Sequence, residues 1–236
     1  MAKENKKENP NKKKSSKKRI IAGFLIIILG IGICLAPTII TKIKQKEFED
    51  TIGSYQNQIE GLDPDDIADQ FDKANQYNEK ISSGIDKDGT GDADYEKILS
   101  FEPDNMMGFI EIPRFSLVLP IYHGTDDSVL AAGVGHMRNT SLPVGGKSTH
   151  CVLVGHTGLS YRIFDDLHYM EIGDVFYLKI ANRILKYKVY KIEGVLPNEM
   201  SYTKIQEGRD LCTLVTCYPQ GINSHRRLVM GERIPD

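Results

Sequence analysis

Twenty-one consecutive residues, Ile20 to Ile40, carry no charge (IIAGFLIIILGIGICLAPTII) and follow the basic runs Lys12–Lys14 and Lys17–Arg19. At 1.5 Å per residue such a helix crosses a hydrocarbon layer of about 30 Å. A cleaved secretory signal has the same order of basic then apolar residues. Pro37 directly after Ala36 disfavours peptidase cleavage, and Ile33 before Cys34 disfavours lipoprotein processing, so the segment is expected to stay as an anchor. The basic flank holds the N-terminus on the cytoplasmic side, which predicts a single-pass type II protein with everything after about residue 41 outside.

Beyond the anchor the pattern turns polar, and residues 42–82 are expected to be helical. Asp63 is a candidate cap, Pro64 fits a first helical turn, and Asp65 and Asp66 suit its positive end. Ile67, Phe71, Ala74, Tyr77 and Ile81 recur at helical spacing and form one apolar stripe, with a stop near Ser82-Ser83-Gly84. Residues 84–94 (GIDKDGTGDAD) form an acidic, Gly-rich loop that half-matches a calcium loop across Asp86–Asp94. Its twelfth position is Lys97 where a bidentate Glu is needed, so a solvated surface loop is the better expectation, and one able to act as a gate.

From Met107 the period changes. Short apolar runs at Gly108–Ile112, Leu117–Tyr122, Val152–Val154, Val175–Ile180, Ile184–Ile192, Leu211–Thr216 and Arg227–Met230 alternate with Gly, Pro, Asn and Asp, which predicts an all-β sandwich or barrel. A turn at Asn182-Arg183 suggests one hairpin. The expected organisation is a basic tail over 1–19, an anchor over 20–40, a helical extension with a lid-like loop over 41–106 and a β-barrel over 107–236.

Charge sharpens the picture. Residues 1–19 hold nine basic and two acidic residues, which leaves the rest with 21 basic against 30 acidic. A net acidic body excludes phosphate-backbone binding, so no nucleic-acid partner is expected. Of the four cysteines, Cys34 lies in the anchor, and the remaining Cys151, Cys212 and Cys217 are odd in number, so one thiol stays free unless it pairs between chains.

Cys217 ends the run LCTLVTCYP, where a strand meets Pro219, whereas Cys151 and Cys212 lie inside strand patterns and suit small buried hydrophobes. A thiol with an ordinary pKa near 8.5 needs a cationic or basic neighbour to react at neutral pH. His156, in Val154-Gly155-His156-Thr157-Gly158, is a candidate acid and base, and Arg226 a candidate holder of a carbonyl oxygen as it turns negative. Taken singly, His156 also suits a hydrogen-bonded turn, Arg226 a surface ion pair, and Cys217 a structural thiol. His123, His136, His150 and His225 lack metal-ligand spacing, so zinc is not expected.

Thr213-Leu214-Val215-Thr216-Cys217 resembles the TLxTC signature of sortases, and the order His, Cys, Arg is also theirs. Further blocks are similar to the class C, pilin-type branch: Ile112-Pro113, Leu119-Pro120-Ile121-Tyr122-His123-Gly124-Thr125, Gly135-His136, Ser141–Gly146 and Gly221–Arg226. The resemblance covers about residues 67–236 and implies an eight-stranded β-barrel with an N-terminal helical extension and no cofactor. It implies cleavage of an LPXTG-like sorting signal, with Cys217 as nucleophile, His156 as general acid and base, and Arg226 on the substrate oxygen. Implied partners are pilin or surface proteins bearing that signal and an amine acceptor, a pilin Lys or the peptidoglycan precursor; a non-catalytic assembly module is the alternative. The sequence departs from the family in three places. Residues 82–100 lack the Asp-Pro-aromatic lid motif, for which Asp86 or Tyr95 is the available substitute; no second hydrophobic segment follows the last strand; and Gln220 stands where an aromatic usually precedes Gly221.

Overall fold

The computed structural model describes residues 10–84, 94–101, 105–158 and 161–235, with backbone alone over 10–20. Helix α1 spans Pro10–Gly61 without a break, so the apolar segment and the first part of the expected extension are one rod. It is the one helix among the described residues long and apolar enough to cross a membrane. Its apolar part is uncovered, with Ile26 70% exposed. Its far part is different: Phe48, Ile52, Tyr55 and Ile59, spaced four, three and four apart, are buried against the barrel.

Helix α2, Pro64–Ser83, forms where the sequence places it. The Asp63 side chain accepts from the Asp65 amide at 3.0 Å, and Gly84, at φ 69°, closes the helix by donating to the Ile81 carbonyl. Ile67, Phe71, Ala74 and Tyr77 are buried, as the stripe predicts. Asn78, beside them, is buried because its side chain pairs with both the amide and the carbonyl of Leu142.

Eight strands follow: β1 Gly108–Ile112, β2 Leu117–His123, β3 Val134–His136, β4 Thr149–Val154, β5 Val175–Ile180, β6 Arg183–Val195, β7 Asp210–Tyr218 and β8 His225–Arg233, with a short helix α3, Asp127–Ala132, before β3. They close as β1-β2-β3-β4-β7-β8-β6-β5, with β2–β3 and β4–β7 parallel and the other neighbours antiparallel. Ile110, Leu119, Leu153, Leu178, Leu214 and Val229 fill the interior and are fully buried. The β5–β6 turn is Ala181-Asn182, and Arg183 already belongs to β6, one residue earlier than the sequence suggests. The strand directions define two rims. At the near rim β1, β4, β6 and β7 end and β2, β3, β5 and β8 begin; at the far rim the reverse holds.

Of the Asp86–Asp94 calcium-like loop, everything before Asp94 lies outside the described residues, as does the centre of the expected gate. Asp94 itself bonds Lys97 at 2.9 Å. Tyr95 does not serve as a lid. It is buried at the far rim, its hydroxyl 2.8 Å from His136 Nδ1, and its ring packs edge-on to His123 at 5.0 Å.

Candidate active site

The register of three strands assembles the candidate residues. In β7 and β8, Cys217 stands directly opposite Arg226, so their side chains share one face of the sheet. In β4 and β7 the parallel register runs to Val154 opposite Val215, and the Gly155 amide then donates to the Val215 carbonyl at 3.0 Å. His156 follows directly, on the loop that leaves β4 beside the end of β7. Cys217 and Arg226 are therefore cross-strand partners at the near rim, on the outer face of the barrel; His156, in the loop that leaves β4, lies at the same rim, and all three are half-buried.

Alternation explains why this face is the outer one. Cys212 and Leu214 point into the main core, whereas Val215, Val152, Leu228, Met230 and Tyr202 form a smaller apolar cluster outside it. The β6–β7 connection folds over that cluster through Tyr202 and is pinned by His150, whose ring nitrogens meet the Lys204 carbonyl at 2.9 Å and the Thr213 hydroxyl at 2.7 Å. Burial lowers the His150 pKa, which suits a neutral structural ring. Cys151 and Cys212 are buried opposite each other in β4 and β7, and burial pushes the Cys212 thiol well above its ordinary range. All described cysteines are free thiols, and of the three outside α1 only Cys217 is accessible.

The loop after β4 is tied down at both ends. Thr216, buried, donates its hydroxyl to the Gly155 carbonyl at 2.7 Å, and the Phe164 amide donates to the His156 carbonyl at 3.0 Å. Gly155 is required there, because a Cβ would sit 2.6 Å from the Phe164 ring. A residue that the sequence reading passed over, Asp165, links this loop to the one after Cys217. Its Oδ1 accepts from the Gly158 amide at 2.8 Å, the Thr157 hydroxyl at 3.2 Å and the Gln220 side-chain amide at 3.2 Å, and its Oδ2 from the Ile163 amide at 3.3 Å. Gln220, the departure from the family pattern, thus has a structural partner.

The two adjacent arginines separate as strand alternation requires. Arg226 donates through Nη1 to the carbonyls of Asn223 and His225 at 3.2 and 3.1 Å, and its other guanidinium nitrogens are unpaired among the described residues. Arg227 pairs with Thr216 on the inner face, and its guanidinium lies 5.7 Å over the Tyr218 ring. A large cleft of about 930 Å³, lined by Glu47, Tyr122, His123 and Asp126 among others, contains none of His156, Cys217 and Arg226. Among the described residues no group of three or more His, Cys, Asp or Glu is placed to hold a metal ion.

A closed eight-stranded barrel with an accessible thiol, an imidazole and a guanidinium at one rim suits acyl transfer through sulfur. A family model for the Sortase domain matches residues 110–234, and the chain belongs to the sortase family. Sortases are cysteine transpeptidases. Sortase D of Bacillus subtilis (strain 168) is 31% identical over 140 residues, 57% of this chain and 68% of that protein. The crystal structure of sortase C1 from Streptococcus agalactiae matches with a TM-score of 0.74 and 36% identity, covering 79% of this chain and 99% of that one. Sortase C of Clostridium perfringens, solved with the C-terminal cell wall sorting motif, matches at 0.72 and 40% identity, covering 79% and 99%. The chain spans roughly two thirds of the length of the curated relatives it matches. Its structural neighbours are class C sortases, and its barrel is theirs.

Proposed function

We propose that this chain is a membrane-anchored class C sortase that cleaves an LPXTG-like sorting signal and transfers the acyl group to a pilin Lys. Cys217 directly opposite Arg226, with His156 on the loop leaving the neighbouring strand β4, carries the reading. The Cys217 thiolate adds to the Thr carbonyl of the signal, and the oxygen, as it becomes negative, is met by unpaired donors of Arg226. The C–N bond then breaks, the leaving Gly nitrogen takes a proton from His156, and a thioacyl-enzyme remains. In the second half an incoming amine gives a proton to His156 and attacks the thioester, and the C–S bond breaks, which restores the thiolate and the protonated imidazole. The apolar span of α1, with its basic flank inside, holds the barrel on the outer side of the membrane.

Sequence resemblance to the pilin-type branch supports the Lys acceptor, and the relative solved with a sorting motif supports the signal. The test uses full-length protein in detergent with an LPXTG-type peptide and two amines, a Lys-bearing pilin domain and a peptidoglycan-precursor amine, read by mass spectrometry. Preferred ligation to the pilin Lys supports the reading. Preferred ligation to the precursor amine replaces it with wall anchoring, and no reaction with either amine refutes it.

A further inference from the structure

We infer that the near rim of the barrel, the end carrying His156, Cys217 and Arg226, rests on the lipid headgroups of the outer leaflet, with Tyr169 and Ile172 as its contacts. The inference rests on α1 being the membrane anchor. If Ile40 marks the edge of the hydrocarbon, the next residues of the same unbroken helix set the height of the barrel. Thr41, Lys44 and Phe48 adjoin Ser116, Leu117 and Tyr161, with the Lys44 ammonium 5.5 Å from the Tyr161 ring centre and Phe48 6.4 Å from it. Ser116 and Leu117 mark the start of β2, and Tyr161 lies in the loop that follows His156, so this contact is at the near rim. Along α1 these residues stand within about 12 Å of Ile40 at 1.5 Å each. Headgroups extend roughly 5–7 Å beyond the hydrocarbon on each side.

The opposite end is fixed independently. The Tyr55 hydroxyl donates to the Met107 carbonyl at 3.0 Å and accepts from the Ala181 amide at 2.7 Å, both at the far rim. Tyr55 is about 22 Å along the helix from Ile40, so α1 runs up the barrel from near rim to far rim, and the far rim stands clear of the headgroups.

Apolar exposure follows the same axis. Tyr169 (68% exposed), Ile172 (70%), Leu196, Tyr218 and Ile222 all adjoin strand ends at the near rim, while Ile184 is at the far rim. Tyr169 and Ile172 precede β5, and their segment is held to the barrel by Arg114, which bonds Glu171 at 2.7 Å and Asp174 at 3.1 Å. An exposed tyrosine and isoleucine on a braced turn at headgroup height match the composition of an interfacial contact. Lys42 and Lys46 lie on α1 at the same level, where Lys44 is paired with Glu47 at 2.8 Å. The consequence for function is that substrate and acceptor react at the bilayer surface rather than out in the wall.

The chain has no tryptophan, so single reporters are clean. Full-length Leu29→Trp, Ile172→Trp, Tyr169→Trp and Ile184→Trp would be reconstituted in vesicles of phosphatidylcholine and phosphatidylglycerol. Acyl-brominated lipid reads the reporter at 29, and headgroup spin-labelled lipid reads the other three. The expected result is loss of most emission at 29, 172 and 169, with little loss at 184. Quenching at 29 without quenching at 172 and 169 overturns the inference and leaves the anchor standing. Equal quenching at 172 and 184 overturns it as well, because the barrel would then lie on its side. No quenching at 29 removes the anchor and the inference together.

Discussion

Asp165→Ala cuts the link between the loop that follows His156 and the loop that follows Cys217. The carboxylate accepts four hydrogen bonds, from Thr157, Gly158, Ile163 and Gln220. Bonds to an ionised acceptor contribute about 1.5–3 kcal/mol each when sheltered, but Asp165 is half-buried and water replaces part of what is lost. A net cost of about 1–2 kcal/mol follows, and at roughly 2–4 °C per kcal/mol for a chain of this size the melting temperature falls by about 2–8 °C. The effect on catalysis is larger than stability alone requires. With Gln220 and Gly158 released, the His156 and Cys217 loops drift relative to each other, and a displacement of about 1 Å lowers kcat by about 10- to 100-fold. KM for the sorting-signal peptide stays nearly constant, since the outer apolar face is untouched. Asp165→Asn keeps an oxygen for Thr157, Gly158 and Gln220 but turns a donor toward the Ile163 amide, so it recovers most of kcat and only part of the stability. Initial rates across peptide concentration, with melting curves on the same samples, read both quantities. Wild-type kcat in Asp165→Ala, or no recovery in Asp165→Asn, would refute the link.

Arg226→Lys replaces a planar fork by a point charge and is expected to lower kcat by about 100- to 1,000-fold, whereas Arg227→Lys, on the other face, lowers it far less; steady-state rates of the two variants separate them. Gly155→Ala drives a methyl into the buried Phe164 ring and is expected to cost about 1–3 kcal/mol in chemical denaturation, with loss of activity because His156 follows directly. His123 carries a pH signature. Burial lowers its pKa from 6.5 to about 4, so above pH 6.5 it adds no pH dependence, and as pH falls from 6.5 to 4 the unfolded chain gains a proton that the folded one refuses. Stability therefore drops across that window by on the order of 2–3 kcal/mol, and His123→Gln flattens this part of a pH series of denaturation curves.

The barrel was legible where alternation was long enough to read. Gly108–Ile112 and Val175–Ile180 are strands with the bounds the sequence predicts, and the others extend by a few residues at their ends. β3 escaped because it is three residues long and contains Gly135, leaving no period to detect; it exists because it pairs with β2 on one side and β4 on the other. His156, Cys217 and Arg226 were candidates by residue type at strand ends, but that Cys217 stands opposite Arg226 is a property of register, which sequence spacing does not encode. Asp165 was illegible for a related reason. Its partners at 157–158 and 220 come from two loops that meet only once β4 and β7 lie side by side. The sequence divides anchor from extension at residue 40, where the apolar run ends, whereas α1 continues through that point to Gly61.

Intact-mass analysis of the full-length protein after brief exposure to an LPXTG-type peptide tests the central claim most directly. A thioacyl adduct equal to the peptide cleaved after Thr, mapped to Cys217, reversed by an added amine and absent in Cys217→Ala, is the predicted result. An adduct on another residue, or turnover that persists in Cys217→Ala, would contradict the account.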